Sequence, residues 1–70
     1  MQRTLVVSSN VKEIGYDPNL SILEVMFDEG HIYHFFGVPE YLYRQLMESP
    51  SIGQFLHENI KYNYRYQRIS

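Results

Sequence analysis

Apolar and polar residues alternate along three stretches in the first half of the chain. A period of two predicts β-strands, because successive side chains of a strand point to opposite faces. The predicted strands cover residues 11–17, 21–27 and 31–36. In the first of them the alternation places Lys12 on the same face as Ile14 and Tyr16. We therefore expect an antiparallel meander of three strands.

The turn between the second and third strands sets their pairing. Asp28-Glu29-Gly30 is typical of a three-residue hairpin loop, with glycine suited to the left-handed position. Such a loop predicts three cross-strand pairs: Phe27 with His31, Val25 with Tyr33, and Leu23 with Phe35. In that register one sheet face is apolar and aromatic, and it requires a cover.

The period changes to that of helices in the second half of the chain. Leu42 and Leu46 are four residues apart, as are Tyr43 and Met47, so an amphipathic helix is predicted from Pro39 to about Glu48. Pro50 ends it. Residues 51–54 then match a capping box that starts a second helix. The predicted buried stripe of this helix is Ile52, Phe55, Leu56 and Ile60.

The two ends of the chain leave alternatives open. Leu5-Val6-Val7 fits either a short edge strand or an extended arm. In the tail, tyrosines alternate with polar residues from 61 to 67, which also fits an edge strand. The prediction is an α+β fold: a three-stranded antiparallel meander followed by two short helices, with a C-terminal edge strand left open. Residues 1–70 form a single domain.

Composition narrows the class of protein. The chain has 70 residues, of which 44% are hydrophobic, and 0 Cys, so disulfides and thiolate zinc sites are excluded. No signal-peptide pattern and no run of ~20 apolar residues is present, so we expect a cytoplasmic protein without membrane contact. A core of this size rarely supplies more than roughly 3–5 kcal/mol, which makes self-association worth considering.

Short motifs spread between Val7 and Ile69 resemble one family. They include Ser8-Ser9-Asn10-Val11, Ile14-Gly15-Tyr16-Asp17, Leu23-Glu24-Val25, Gly30, Ile32-Tyr33, Val38-Pro39, Ser51 with Gly53, and Asn59-Ile60. In this order they resemble the KTSC domain, a short bacterial and phage domain that also occurs at the C-terminus of some lysyl-tRNA synthetases. One departure is Tyr33-His34-Phe35, where the family has Tyr-x-Tyr, so the second position keeps the ring and loses the hydroxyl. The family has no established activity, and the resemblance implies a role in binding nucleic acid, with RNA favoured.

The tail carries the residues that we expect to bind RNA or another ligand. They are Lys61, Tyr62, Tyr64, Arg65, Tyr66 and Arg68. Aromatic rings stack on exposed bases, and interleaved cations contact phosphates. The alternative is that the tyrosines cover a small core with their rings and keep their hydroxyls in water. The net charge of −2 argues against strong duplex binding.

Catalytic and metal chemistry is not expected from this sequence. His31 and His34 point to opposite faces of a strand, so one ion cannot take both. Ser8 and Ser9 lack the motif of a nucleophile elbow, and the glycines form no phosphate loop. We therefore predict a binding module without cofactor or metal, for RNA or a nucleotide. The open alternative is a module that binds another protein or itself, with a small molecule held between subunits.

Overall fold

A five-stranded antiparallel sheet with two helices packed on one face makes up the fold. The computed structural model describes residues 1–70, and the strands follow one another across the sheet in chain order. The elements are β1 (Arg3–Leu5), β2 (Val11–Asp17), β3 (Ile22–Phe27), β4 (Ile32–Phe36), α1 (Glu40–Glu48), α2 (Ile52–Leu56) and β5 (Tyr66–Arg68), and a π-helical turn (His57–Lys61) continues α2. The α+β fold, the meander and the C-terminal edge strand are confirmed. The N-terminal segment forms a further edge strand, so the sheet is two strands wider than the predicted meander.

The hairpin of β3 and β4 has the predicted register. Val25 pairs with Tyr33 and Leu23 with Phe35. The loop closes through the Gly30 N–H, which donates to the Phe27 carbonyl at 2.8 Å, and Gly30 has the left-handed φ of 94°. Glycine adopts this conformation without the steric cost that a Cβ would bring.

Strand β2 departs from simple alternation. Its register to β3 shifts between Val11 and Glu13, and the bulge leaves Lys12 exposed. Val11 and Ile14 therefore both reach the core, with exposures of 1% and 0%. The expectation that Lys12 shares a face with Ile14 was wrong, because a bulge adds one residue and reverses the alternation on one side of it.

The core lies between the sheet and the two helices. Its buried members are Val11, Ile14, Leu23, Val25, Phe35, Val38, Leu42, Leu46, Ile52, Leu56 and Ile60. Fully burying one such side chain contributes roughly 1.5–3 kcal/mol, so this cluster is the main source of stability. Phe27 and Tyr33 pack against it while staying partly exposed, as does Phe55 from the predicted helix stripe. No helix in the chain combines the length and the apolar character that crossing a bilayer requires.

Local contacts fix the position of each helix. The ring of Tyr43 on α1 stacks on Tyr16 of β2 with a centroid distance of 4.7 Å, and the Tyr16 hydroxyl donates to the Val38 carbonyl at 2.6 Å. At the start of α2 the Ser51 hydroxyl accepts from the Gln54 N–H at 3.4 Å. The reciprocal half of the capping box is replaced, since the Gln54 side chain donates to Glu58.

A row of polar side chains crosses the other face of the sheet. Arg3 donates to Glu13 at 2.7 Å and to Glu24 at 2.9 Å, and His34 Nε2 lies 2.7 Å from the second Glu24 oxygen. Burial alone would raise the pKa of the Glu24 carboxyl, but the hydrogen bonds from His34 and Arg3 and the Arg3 charge outweigh it and lower the pKa. Four neighbouring strands, β1 to β4, are thus joined by one charged network.

Candidate functional site

A concavity lies on the helix-bearing face of the sheet, beside α2. Its volume is about 480 Å³, within the range of roughly 300–1,000 Å³ typical of ligand sites. We call it the aromatic groove. It is lined by Asn10, Phe27, Glu29, Tyr33, Phe35, Gly53, Leu56, His57, Lys61 and Tyr66.

Aromatic rings from β3, β4 and β5 form the floor of the groove. Tyr33 and Phe35 share a face because they are two residues apart on β4, and β5 brings Tyr66 opposite Phe35. The Tyr33 ring lies 5.8 Å from the Tyr66 ring and 5.5 Å from the Phe27 ring, which meets it edge-on. With Tyr66 56% exposed, the floor includes π-surface that is open to water.

One side of α2 and its π-helical continuation forms the wall. Gly53, Leu56 and His57 follow the i, i+3, i+4 spacing of a single helix face, and Lys61 stands one turn beyond His57. The His57 ring packs edge-on against Tyr62, and the Lys61 ammonium lies 5.5 Å from the centroid of that same ring. The C-terminal end of the wall is therefore basic and aromatic.

The opposite end of the groove is polar. The Asp28 N–H donates to the Asn10 carbonyl at 3.0 Å, which ties the loop before β2 to the β3–β4 hairpin. Within that loop the Ser8 hydroxyl donates to Asn10 Oδ1 at 3.3 Å. Asn10 and Glu29, from these two connected segments, both line the groove. Neither the Asn10 amide nitrogen nor the Glu29 carboxylate has an intramolecular hydrogen-bond partner.

Gly53 allows the loop and the helix to approach one another. A Cβ at this position would lie 2.7 Å from Asn10 Oδ1 and 3.5 Å from Ser8 Oγ. A glycine in the first turn of a helix indicates a close neighbour. Here that neighbour is the Ser8–Asn10 loop, so Gly53 helps to position a groove side chain.

Three of the predicted tail residues lie in or beside the groove. Lys61 and Tyr66 line it. Arg68 pairs with Tyr33 across β4 and β5, so both side chains project from the same face of the sheet. The Arg68 Nε donates to the Ser70 carbonyl at 3.3 Å. These residues extend the floor towards the open edge of β5.

The other three tail residues lie outside the groove. Tyr62 is 74% exposed and packs on His57. Tyr64 is half-buried against the core, which is the covering role that the sequence left open as an alternative. Arg65 is exposed in the turn before β5, and its carbonyl accepts from the Phe36 N–H. The tail is thus divided between groove and core, and it does not present one continuous stacking surface.

The family-motif residues fall into two groups. Tyr33, Phe35 and Gly53 line the groove, and Ser8 supports Asn10 beside it. Ser51 caps α2, and Ser9 is exposed. The sequence did not identify five further lining residues as part of a site: Asn10, Phe27, Glu29, Leu56 and His57. The available signal was Gly53, since a glycine in a first helical turn indicates a close neighbour that the sequence does not name.

Comparison with known proteins places the chain in a family. The family model of the KTSC domain matches residues 7–64. The chain belongs to the KTSC domain family. The crystal structure of a KTSC domain protein from Yersinia pestis superposes with a TM-score of 0.93 at 37% identity, covering 99% of this chain and 97% of that one.

The relatives of this KTSC domain are of two kinds, short proteins and much longer ligases. An uncharacterized protein of Stutzerimonas stutzeri is 39% identical over 70 residues, 99% of each chain. A lysine–tRNA ligase of Nostoc is 37% identical over 62 residues, which are 89% of this chain and 11% of the ligase. The KTSC domain therefore resembles a small part of these ligases and the whole of other, similarly short proteins.

Proposed function

We propose that this KTSC domain is a non-catalytic module that binds single-stranded RNA in the aromatic groove. The observation that carries the proposal is the groove floor, where the half-buried Tyr33 and the exposed Tyr66 lie over the buried Phe35, together with Lys61 in the groove lining. Stacking of a base on an aromatic side chain is worth roughly 1–3 kcal/mol and tolerates any base. Rings to hold bases and a cation to meet phosphate are the two elements that such binding requires.

The charge distribution supports a single strand over a duplex. Lys61 and Arg68 are the cations at the groove, and the whole chain carries −2. Affinity for duplexes grows with the number of phosphates neutralised, so two contacts give weak duplex binding. A single strand adds stacking energy that a duplex, with its bases already stacked, does not offer.

The ligase relatives lend support to the proposal of an RNA ligand. Proteins named lysine–tRNA ligases contain a segment like this chain. A small RNA-binding domain attached to such an enzyme would raise the enzyme's affinity for RNA without taking part in the reaction. The ligase activity itself is not proposed for this chain, and we expect the domain to act in the cytoplasm.

Removal of a groove ring tests the stacking. We expect Tyr66→Ala to weaken binding of a labelled single-stranded RNA of mixed sequence by roughly 5- to 150-fold, which corresponds to the loss of one stack. Tyr41→Ala is the matched control, because Tyr41 is 65% exposed on α1 and lies outside the groove. Fluorescence anisotropy at low salt measures both. Equal effects of the two substitutions, or no binding by the wild type, would reject the proposal.

Salt dependence tests the phosphate contact. With Lys61→Ala, the plot of log affinity against log salt should lose about 0.7 of its slope, the value for one phosphate on a single strand. Arg44→Ala removes the same charge from an exposed ion pair on α1 and should leave the slope unchanged. An unchanged slope for Lys61→Ala would mean that Lys61 does not touch the backbone.

A second candidate is self-association through the β1 edge. Leu5, the last residue of β1, is 71% exposed, and Val7 just after the strand is 99% exposed. Edge strands readily pair with other chains. In this alternative the KTSC domain is a protein-interaction or self-assembling module, and a nucleotide could be held between copies. Analytical ultracentrifugation at high protein concentration distinguishes the two, since a strict monomer removes the self-association version.

A further inference from the structure

We propose that the polar end of the aromatic groove reads the Watson–Crick edge of a guanine base. This inference rests on the proposed RNA-binding function and assigns it a base preference. The residues that carry it are Asn10, whose amide supplies a donor, and Glu29, whose carboxylate supplies two acceptor oxygens. They come from two loops that a backbone hydrogen bond joins, since the Asp28 N–H donates to the Asn10 carbonyl at 3.0 Å.

The Asn10 side chain is held so that its amide nitrogen stays available. The Ser8 hydroxyl donates to Asn10 Oδ1 at 3.3 Å, and the same oxygen lies 2.7 Å from the position that a Cβ of residue 53 would occupy. With the oxygen directed to Ser8 and the glycine, the NH₂ group is the part of the amide left to donate to a ligand. A loop that holds a polar side chain in one orientation reduces the cost of ordering it on binding.

Guanine matches this pair of side chains better than the other bases do. It presents two adjacent donors, N1–H and the N2 amino group, to which a carboxylate can accept in a bidentate manner, and its O6 accepts beside them. Glu29 would accept from both donors while the Asn10 amide donates to O6. Adenine, cytosine and uracil each offer the carboxylate only one donor on that edge, so they lose one charge-assisted hydrogen bond.

The dimensions of the groove allow base and phosphate to be held at once. Lys61 follows Gly53 by eight positions along the wall, which is at most about 12 Å along a helix axis. The base edge would lie near Asn10, at the Gly53 end, and its ring over the aromatic floor. The Lys61 ammonium at the other end is then within reach of the phosphate of the same nucleotide, because its four-carbon stem is flexible.

The test compares RNA pentamers that differ only at the central base: CCGCC, CCACC, CCUCC, CCCCC, and CCICC with inosine. Inosine is guanine without the N2 amino group, so it removes one of the two donors to Glu29. We expect the guanine pentamer to bind about tenfold more tightly than the other natural pentamers, and the inosine pentamer to bind about as weakly as the uracil pentamer, because both bases keep one N–H donor beside one carbonyl acceptor. Glu29→Gln should abolish that preference by weakening CCGCC far more than CCCCC, and Asn10→Ala should reduce it. Asp28→Asn, in the same exposed hairpin but outside the groove lining, should change nothing.

The outcomes separate this inference from the function on which it rests. Equal binding of all five pentamers, or an equal loss for all five in Glu29→Gln, would overturn base reading and leave RNA binding intact. Guanine preference that survives both Glu29→Gln and Asn10→Ala would also overturn it, because another residue would be the reader. If none of the pentamers binds at low salt, the proposed function fails and base reading fails with it.

Discussion

Glu24 is the residue whose replacement tests the energetics of the sheet most directly. Its exposure is 9%, and its two oxygens face Arg3 at 2.9 Å and His34 at 2.7 Å. A hydrogen bond to a charged group is worth roughly 1.5–3 kcal/mol, and partial exposure of both partners places these at the low end. Glu24→Gln keeps the shape and weakens both bonds, so we expect a loss of about 2 kcal/mol. In a domain of this size that loss lowers Tm by roughly 8–16 °C.

Calorimetry or chemical denaturation at two pH values measures the effect, with Glu13→Gln as control. Glu13 has one partner, Arg3, and a side chain 25% exposed, so its replacement should cost less than about 1 kcal/mol. The folded-state pKa of Glu24 is lowered. The stability that its carboxylate contributes is therefore present above the unfolded-state pKa of about 4.3, and it is lost as the pH falls through the lower folded-state pKa. The difference in free energy of unfolding between wild type and Glu24→Gln should be largest near about pH 5.5 and should vanish at strongly acid pH. Equal stability of wild type and Glu24→Gln near pH 5.5, or a gap that persists in acid, would refute the role assigned to the network.

Two further predictions concern the helices. Tyr16→Phe should lower the free energy of unfolding by about 1–2 kcal/mol in urea titrations, because it leaves the buried Val38 carbonyl without its 2.6 Å donor. Tyr43→Phe, which keeps the ring stack, should cost less than half as much. Gly53→Ala should leave stability within about 1 kcal/mol of wild type, since better helix propensity offsets a displaced, exposed Asn10 side chain. It should nevertheless reduce discrimination between guanine and inosine pentamers, and a strong loss of stability would show that the loop cannot move.

Elements with a strong period were predictable because local pattern and tertiary packing agree in them. The β3–β4 hairpin needed only alternation and the Asp28-Glu29-Gly30 turn. Two of the three predicted pairs lie in the strand register, and the Phe27 N–H donates to the His31 carbonyl at 2.9 Å. The Leu42 and Leu46 spacing likewise fixed the buried side of α1. The bulge in β2 could not be read in this way. The bulge is set by the register between β2 and β3, which the residues around Lys12 do not reveal. The predicted alternation therefore continued across a position where the strand has one extra residue.

The site was less predictable than the fold because it is built from loops and from strand pairing. The alternating tail suggested that all its tyrosines act together, yet β5 starts at Tyr66 and places only that ring beside Phe35. Tyr64 precedes the strand and packs inward. Asn10 and Glu29 are polar loop residues with no periodic signal. Only the tertiary contact between a loop, a hairpin and a glycine of α2 brings them into one groove.

Each of the two short edge strands supplies one side chain to a cluster on a different face of the sheet, and this links stability to the proposed function. β1 brings Arg3 to Glu24 on the outer face, where the network joins β1, β2, β3 and β4. β5 brings Tyr66 to Phe35 on the inner face, where the groove lies. On β4, His34 points to the charged network on the outer face, and its neighbour Tyr33 points to the groove on the inner face. The strand that carries the groove floor is therefore also held by the charged network. Weakening the row at Glu24 should therefore loosen β4 and reduce RNA affinity, whereas Tyr66→Ala should reduce affinity without changing the acid dependence of stability.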